Sequence, residues 1–149
     1  MARTSFSGPV ASDNGFIGNI TGNIDGSGAV THAATSAINA TATASAAQVA
    51  TGYITSTSAA ATTITLPTGT ALGTALGAVR GTVFDLYIDN TAGANTVTIA
   101  VNTNAILSTA AADTAASFGD LTVASGATGL ARYTLMFSSP TAYVFTRTA

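Results

Sequence analysis

The stretch Thr82–Asp89, TVFDLYID, alternates apolar and polar residues with a period of two. In an extended chain this period places successive side chains on opposite faces. The apolar face then carries Phe84, Leu86 and Ile88. The polar face carries Asp85, Tyr87 and Asp89. The stretch therefore predicts a β-strand with one buried and one exposed side.

The same alternation returns in Thr96–Val101, TVTIAV, where Val97, Ile99 and Val101 are expected to face inward. The two stretches are joined by Asn90–Asn95, NTAGAN, which is rich in turn-forming residues. Alternating strands on both sides of a short turn are typical of a β-hairpin. We therefore expect 82–89 and 96–101 to pair as antiparallel neighbours.

Further short strands are predicted on both sides of this hairpin. Their expected ranges are 52–57, 62–66, 120–124, 131–138 and 142–148. The last two flank Ser139-Pro140 and are expected to form a second hairpin. The segment 102–118 is predicted to be a long connection between strands. Many short strands with turns between them and almost no helix predict an all-β fold, namely an antiparallel β-sandwich or jelly-roll-like barrel.

Only two places favour helix. Leu72 and Leu76 lie four residues apart in 70–76, which is consistent with one or two helical turns. Ser45 and Gln48 have the spacing of a capping box, in which two side chains satisfy first-turn amides. The surrounding residues 31–50 are an Ala/Thr/Ser-rich lead-in of low complexity to the sandwich domain, which we place at 31–149.

Residues 1–30 are predicted to form an extended N-terminal arm. Its centre, Gly18–Gly26, reads GNITGNIDG and repeats a four-residue unit. Helix is disfavoured there because each interior glycine costs roughly 1 kcal/mol relative to alanine. In an extended chain Ile20, Ile24 and the glycines share one face, a shape suited to lying flat on another surface. The apolar anchors of the arm are Phe6, Phe16, Ile17, Ile20 and Ile24.

The charge content is low, with four arginines, six aspartates and no lysine, glutamate or cysteine. So few scattered arginines disfavour nucleic-acid binding and exclude a polybasic membrane anchor. The N-terminus lacks the apolar run of a signal peptide, so we expect synthesis in the cytoplasm and no membrane partner. Leu, Ile, Val and Phe make up roughly a fifth of the chain, which indicates a thin core. Burial of surface against copies of itself or a partner is therefore expected.

No catalytic or cofactor motif is evident, so we expect no enzyme activity, no cofactor and no dedicated metal site. His32 is the single histidine and lies in the low-complexity lead-in, where nothing rigid orients it for general-base catalysis. Asp85 and Asp89 are separated along a strand by roughly 13 Å, whereas glycosidase carboxylates lie about 5–9.5 Å apart. Asp13 with Asn14, or Asp25 with a loop carbonyl, are the remaining alternatives for a weak calcium site.

Two other sets of residues are candidates for binding. Aromatic faces stack on sugars, so Tyr53, Tyr87, Tyr133 and Tyr143 are candidates for carbohydrate binding, although a role as half-buried strand residues with accessible hydroxyls explains them better. A second hairpin symmetric about Ser139-Pro140 places Arg132 opposite Arg147, and like charges in that position are unfavourable. Either the register differs, or the two arginines share an anion such as a neighbouring subunit's aspartate, or they splay into water. An inter-subunit polar contact is the hypothesis we keep.

Several pieces of the chain, taken in order, resemble the decoration (cement) proteins of tailed-bacteriophage heads. In the arm, SFSGPV (5–10), NGFIG (14–18) and GNITGNIDG resemble the N-terminal arms of small phage head proteins. In the body the similar pieces are AAQV (46–49), GYITSTSAAATTITLPTGTAL (52–72), TVFDLYIDNTAGANTVTIA (82–100), LTVASG (121–126) and ARYTLMFSSPTAYVFTRT (131–148).

This resemblance implies a structural role. Such proteins lie on the outer surface of the capsid, often as homotrimers, and tie neighbouring subunits of the major capsid protein together. It implies that the arm contacts the shell or a neighbouring subunit through its apolar anchors. A head- or tail-fibre module that binds host-surface glycans is the alternative function.

Overall fold

The computed structural model describes residues 34–107 and 121–148 of the chain. The predicted arm, His32, Asp13, Asn14, Asp25 and much of the 102–118 connection lie outside these residues. Within them, the elements in chain order are β1 (Ser36–Ala37), β2 (Ala42–Thr43), α1 (Ala46–Ala50), β3 (Tyr53–Thr55), β4 (Thr62–Thr65), α2 (Gly69–Leu76), β5 (Val83–Asp89), β6 (Val97–Ala100), β7 (Ala105–Leu107), β8 (Thr122–Val123), β9 (Leu130–Ser139) and β10 (Ala142–Arg147). The prediction of a mostly β protein is confirmed.

The strands form two mixed sheets. The six-stranded sheet has the order β1-β3-β5-β9-β10-β7, and the four-stranded sheet has the order β2-β4-β6-β8. In its first part the chain alternates between them, so that β1, β3 and β5 are parallel neighbours in one sheet and β2, β4 and β6 are parallel neighbours in the other. The first part of the described chain therefore winds as three stacked coils, each contributing one strand to each sheet.

Antiparallel pairing is confined to the later strands. β9 and β10 form the predicted hairpin, β9 also pairs with β5, and β8 pairs with β6. The expectation of antiparallel pairing throughout is therefore wrong for the stacked coils. Alternation along a strand reports which face is buried, and a coil that returns beside itself produces the same alternation as a hairpin.

The predicted hairpin of 82–89 with 96–101 is also wrong, because β5 and β6 belong to different sheets. The connection between them crosses from one sheet to the other. Buried Asn90 fixes this crossing, since its side-chain amide Nδ2 donates to the carbonyl oxygens of Asn95, Val123 and Ala124. Turn-forming residues thus indicated a change of direction but not the sheet that the chain enters next.

Three strands were not predicted at all. β1 and β2 lie in the low-complexity lead-in, and β7 lies in the segment expected to be a connection. Each is only two or three residues long, too short for an alternating pattern to appear. The predicted capping box is confirmed, with Ser45 N donating to Gln48 Oε1 at 2.9 Å and Gln48 N donating to Ser45 Oγ at 3.2 Å at the start of α1.

Buried side chains from both sheets form one hydrophobic core. The six-stranded sheet contributes Ile54, Leu86, Ile88, Ala131, Tyr133, Leu135, Phe137, Tyr143 and Phe145, and the four-stranded sheet contributes Ile64, Val97, Ile99 and Val123. Val49 of α1 and Leu72 of α2 are buried in the same core. Val101, expected to face inward, is instead 50% exposed because β6 ends at Ala100.

Candidate binding face

The side of the six-stranded sheet that points away from the core is the most distinctive surface of the described residues. We call it the outer face. Because residues alternate along each strand, it is built from every second residue of β5 and β9. These are Val83, Asp85, Tyr87 and Asp89 on β5, and Leu130, Arg132, Thr134 and Met136 on β9.

The strand register places these side chains in rows that run across the sheet. One row joins Tyr53 of β3, Tyr87 of β5 and Arg132 of β9. A second row joins Val83, Met136 and Val144. Between these rows, Asp85 lies opposite Thr134, and beyond the tyrosine row Asp89 lies opposite Leu130. We call the first row, which includes Arg132, the aromatic band, and the row of Val83, Met136 and Val144 the apolar band; Leu130 lies apart from the apolar band, opposite Asp89.

The aromatic band is fixed by stacking and by a hydrogen bond. The rings of Tyr53 and Tyr87 stack with their centroids 6.3 Å apart and their planes at 25°. The Tyr53 hydroxyl donates to Asp89 Oδ2 at 2.7 Å, and Asp89 Oδ1 accepts from both Thr91 N and Thr91 Oγ1. These donors, the Thr91 hydroxyl foremost, lower the pKa of Asp89. The hydrogen bond to Asp89 raises the pKa of Tyr53.

Most of the few charged side chains among the described residues lie on the outer face. The described residues include five charged side chains, and Asp85, Asp89 and Arg132 of these five lie on this face. Asp85 Oδ1 accepts from the Thr134 hydroxyl at 2.6 Å, and Arg132 Nε donates to Thr148 Oγ1 at 3.0 Å. Neutral threonine hydroxyls therefore hold the Asp85 and Arg132 side chains in place.

The apolar band is exposed rather than packed. Val83 and Met136, which are paired across β5 and β9, are each 54% exposed, and Leu130 at the opposite end is 49% exposed. Sequence reasoning missed these three residues. Their signal was nonetheless present, because Val83, Leu130 and Met136 interrupt the polar side of otherwise alternating strands.

The structure separates the two arginines that the symmetric hairpin placed opposite each other, so that register is wrong. A register shift between Ala142 and Tyr143 pairs Arg147 with Tyr133, whereas Arg132 pairs with Tyr87. Adjacent positions along a strand point to opposite faces, so Arg147 lies on the core side and Arg132 on the outer face. Arg147 Nη1 donates to the carbonyl of Thr122 in β8 at 2.8 Å. A shared anion between the two is thereby excluded, and an inter-subunit contact stays a prediction for each residue alone.

The four tyrosines fall into two groups. Tyr133 and Tyr143 are buried in the core, where the Tyr143 hydroxyl donates to the carbonyl of Pro67 at 2.8 Å. Burial raises the pKa of Tyr143 far above its ordinary value. Tyr53 and Tyr87 lie on the outer face and keep part of their surface accessible. Sugar stacking is therefore restricted to this second pair.

Other candidate residues receive no structural placement. The arm anchors Phe6, Phe16, Ile17, Ile20 and Ile24 lie outside the described residues. Within the described ranges, His, Asp, Glu and Cys side chains do not form a group of three or more that is suited to a metal ion. None of the described helices has the length and apolar character needed to cross a bilayer.

Comparison of the chain with protein-family models, curated proteins and solved structures finds no match.

Proposed function

We propose that this protein is a structural component of a phage virion that decorates the outside of the capsid and stabilises it by bridging neighbouring capsid subunits. Its partners are the major capsid protein and copies of itself, with a homotrimer expected from the resemblance. The observation that carries the proposal is the outer face. It combines exposed aliphatic side chains with partly accessible tyrosine and arginine side chains, a combination typical of protein interfaces.

The proposal includes a β-sandwich body spanning 31–149, in which the two sheets pack on each other. It is supported by the single core to which both sheets contribute, including Leu86 and Tyr133 from one sheet and Ile64 and Ile99 from the other. Residues that alternate between a buried and an accessible side on both sheets are characteristic of such packing.

The arm supplies the bridge. The predicted arm, residues 1–30, precedes β1 in the chain, and among the described strands β1 and β2 are edge strands of the two sheets. We propose that Gly18–Gly26 lies extended on a capsid subunit or adds as a strand to a neighbour, with main-chain hydrogen bonds giving affinity. Ile20 and Ile24 set the register, and the glycines permit close approach of the two backbones.

The experiment that tests this role uses capsids assembled without the protein and the full chain added back, with bound protein measured after pelleting. Ile20→Asp and Ile24→Asp, made together, place charges on the apolar face of the arm and are expected to reduce binding at least tenfold. Thr21→Asp and Asn23→Asp, made together, add the same charges to the opposite face and serve as the matched control. Equal binding by the two double variants contradicts a role for the Gly/Ile face.

Copy number provides an independent test of the capsid location. Quantitative mass spectrometry of purified virions is expected to give a ratio to the major capsid protein near parity. A handful of copies per particle contradicts a coat on the shell and favours the fibre alternative.

Glycan binding is the second candidate function, and the stacked pair Tyr53 and Tyr87 is the specific observation that favours it. Two aromatic rings beside Asp89 and Arg132 combine a stacking surface with hydrogen-bonding groups, as sugar sites do. A glycan array probed with the full chain tests this function. Binding that is lost in Tyr87→Ala supports it, and absence of any sugar ligand excludes it.

A further inference from the structure

Three polar side-chain atoms are buried in the core and receive no hydrogen bond within 34–107 and 121–148. They are the hydroxyl oxygens of Ser56 and Thr62 and the amide oxygen Oδ1 of Asn90. The three residues are 1%, 4% and 0% exposed. Leaving a buried polar atom unpaired is costly, and in folded proteins such atoms are nearly always paired with protein groups or with ordered water.

The strand pairing places Ser56 beside Asn90. Thr55 of β3 pairs with Asp89 of β5, and Ser56 N continues this parallel ladder by donating to the Asp89 carbonyl at 2.8 Å. Each of the two residues lies two positions after a buried isoleucine of its strand, so both side chains are on the core side. Because neighbouring strands lie about 4.8 Å apart, the two side chains are adjacent.

Thr62 lies at the other end of the same corner. It is the first residue of β4, which the chain enters from Ser56 through the short crossing loop 57–61. Thr62 lies two positions before buried Ile64, so its side chain is also on the core side. The hydroxyls of Ser56 and Thr62 are therefore buried at the two ends of one loop of the second coil, which consists of β3 and β4.

The amide group of Asn90 is oriented by its nitrogen. Nδ2 donates to three carbonyl oxygens beside β6 and β8, those of Asn95, Val123 and Ala124. Oδ1 packs against the loop that follows Asn90, since a Cβ on Gly93 would collide with it. This loop is bonded to the crossing loop of the second coil, because Ala94 N donates to the Ser58 carbonyl at 3.0 Å. Oδ1 therefore lies on the side of the second coil, where the two hydroxyls are buried.

We propose that Ser56, Thr62 and Asn90 together hold one buried water molecule, which joins the second coil to the third. The water donates to Asn90 Oδ1 and to one hydroxyl and accepts from the other hydroxyl, so that each of the three atoms gains a partner. About three hydrogen bonds to otherwise unpaired buried groups are typical of an internal water. The three groups are neutral and the hydroxyls both donate and accept, which suits water better than an ion.

The sign of a stability change tests this site in the full chain. Thr62→Val keeps the branched shape of the side chain and removes the hydroxyl that bonds the water. Its equilibrium constant for unfolding, measured by urea denaturation, is expected to rise about fivefold. Thr63→Val is the matched control, because Thr63 is the next residue of β4 and lies on its accessible side. Its expected change is less than about twofold.

A direct count of long-lived waters gives a second readout. Magnetic relaxation dispersion of the water signal detects molecules that stay inside the protein, and it is applied to the wild type and to the variants. Ser56→Ala combined with Thr62→Val is expected to hold one long-lived water fewer than the wild type, whereas Thr63→Val retains it. Because both substitutions act on the same water, the second is expected to cost less than the first. Circular dichroism checks that each variant is folded.

Three results overturn the proposal. A Thr62→Val protein that is more stable than the wild type shows that the hydroxyl has no partner, since valine then removes a buried unpaired polar atom. The same number of long-lived waters in the wild type and in the folded double variant shows that no water is held there. Strictly additive costs of Ser56→Ala and Thr62→Val contradict a water shared by the two hydroxyls. The site lies in the body, so each of these outcomes is independent of capsid binding by the arm.

Discussion

At the scale of single residues, Asn90 decides where the chain goes after its longest early strand. Its side-chain amide donates to three carbonyls, two of which belong to the segment around β8. The side chain thus joins the end of β5, the crossing loop and the other sheet. Gly93 is required beside it, since a Cβ at that position would lie 2.0 Å from Asn90 Oδ1.

Asn90→Ala is therefore expected to lower the free energy of unfolding by about 2–4 kcal/mol, because it leaves the buried Val123 carbonyl and the part-buried Asn95 and Ala124 carbonyls without this donor. Urea denaturation followed by circular dichroism measures the change. Asn95→Ala is the matched control, since the Asn95 side chain makes one exposed hydrogen bond to the Ala59 carbonyl at 3.3 Å. Its expected cost is below about 1 kcal/mol. Equal costs for the two variants would show that the Asn90 bonds do not hold the crossing.

Tyr143 gives a prediction about pH. Burial raises its pKa in the folded state above the ordinary value of 10.0, so the folded protein holds the phenol proton more tightly than the unfolded chain does. The resulting stabilisation is complete below about pH 10 and decreases as the pH rises further. The free energy of unfolding is thus expected to fall between about pH 10 and 11 in the wild type.

Tyr143→Phe removes the titrating group and is expected to flatten this decline. At neutral pH the same variant loses the hydrogen bond to the Pro67 carbonyl, at a cost of about 1 kcal/mol. Urea denaturation at several pH values measures both effects. Tyr53→Phe, at the surface, is the control and is expected to change the slope less. An unchanged slope in Tyr143→Phe would contradict the assignment.

At the scale of elements, the helix α2 is held against the β9–β10 turn by two glycines on one side. A Cβ on Gly69 would meet the Thr141 carbonyl oxygen at 2.2 Å, and a Cβ on Gly73 would meet the Pro140 carbonyl oxygen at 1.8 Å. The four-residue spacing of these glycines places them on one side of the helix. The structure identifies the surface against which they pack.

Gly73→Ala is expected to destabilise the protein by about 1–3 kcal/mol, because backbone atoms of the turn must move to admit the methyl group. Thermal unfolding measures the loss. Gly77→Asn is the matched control, since Gly77 has a left-handed backbone with φ of 58° and open space around it, and asparagine tolerates that conformation. A Gly73→Ala protein as stable as the wild type would contradict close packing of α2 on the turn.

The strands also show which features of the fold could be predicted from the sequence. Strands with clear alternation, such as Val83–Asp89 and Leu130–Ser139, appear within one or two residues of their predicted ranges. Their partners were predictable only for β9 and β10, where a short turn joins true neighbours. Parallel pairs such as β4 with β6 join residues far apart in the chain, and no local pattern records that pairing.

For the outer face, too, the sequence predicted the residues of a single strand but not the neighbouring strands. Alternation predicted that Asp85, Tyr87 and Asp89 share one side of β5. The row of Tyr53, Tyr87 and Arg132 depends on the order of three strands, and no pattern in the sequence predicted that order. The position of Arg147 depended on a register shift of one residue near Ala142, which reverses the face of every later side chain.

At the scale of the whole molecule, the described core is contained within residues 38–145, and its first members are Ile38 and Ala44. These two belong to the first coil, whose short strands β1 and β2 cover the edges of β3 and β4. In stacked coils each coil is stabilised by contact with its neighbour, and the end coil protects the next one from water. The first coil therefore acts as a cap on the core.

Two deletions separate the arm from this cap. Removal of residues 1–33 is expected to retain a cooperative unfolding transition within about 1 kcal/mol of the full chain, since no described core residue is lost. Removal of residues 1–44 also deletes Ile38 and Ala44 and uncovers the edges of β3 and β4. Its expected cost is about 2–5 kcal/mol, the range for losing one large buried aliphatic side chain.

Urea denaturation of the two truncated proteins and the full chain measures these differences, and the midpoint and slope are compared together. A smaller slope for the 1–33 deletion would mean that the arm itself contributes buried surface to the folded state. The body would then not be independent of the arm, and loss of capsid binding in arm variants would have to be attributed to the body as well. An unchanged slope with retained stability assigns the arm to binding alone, because the stacked coils and the later hairpin then account for the whole of the folding free energy.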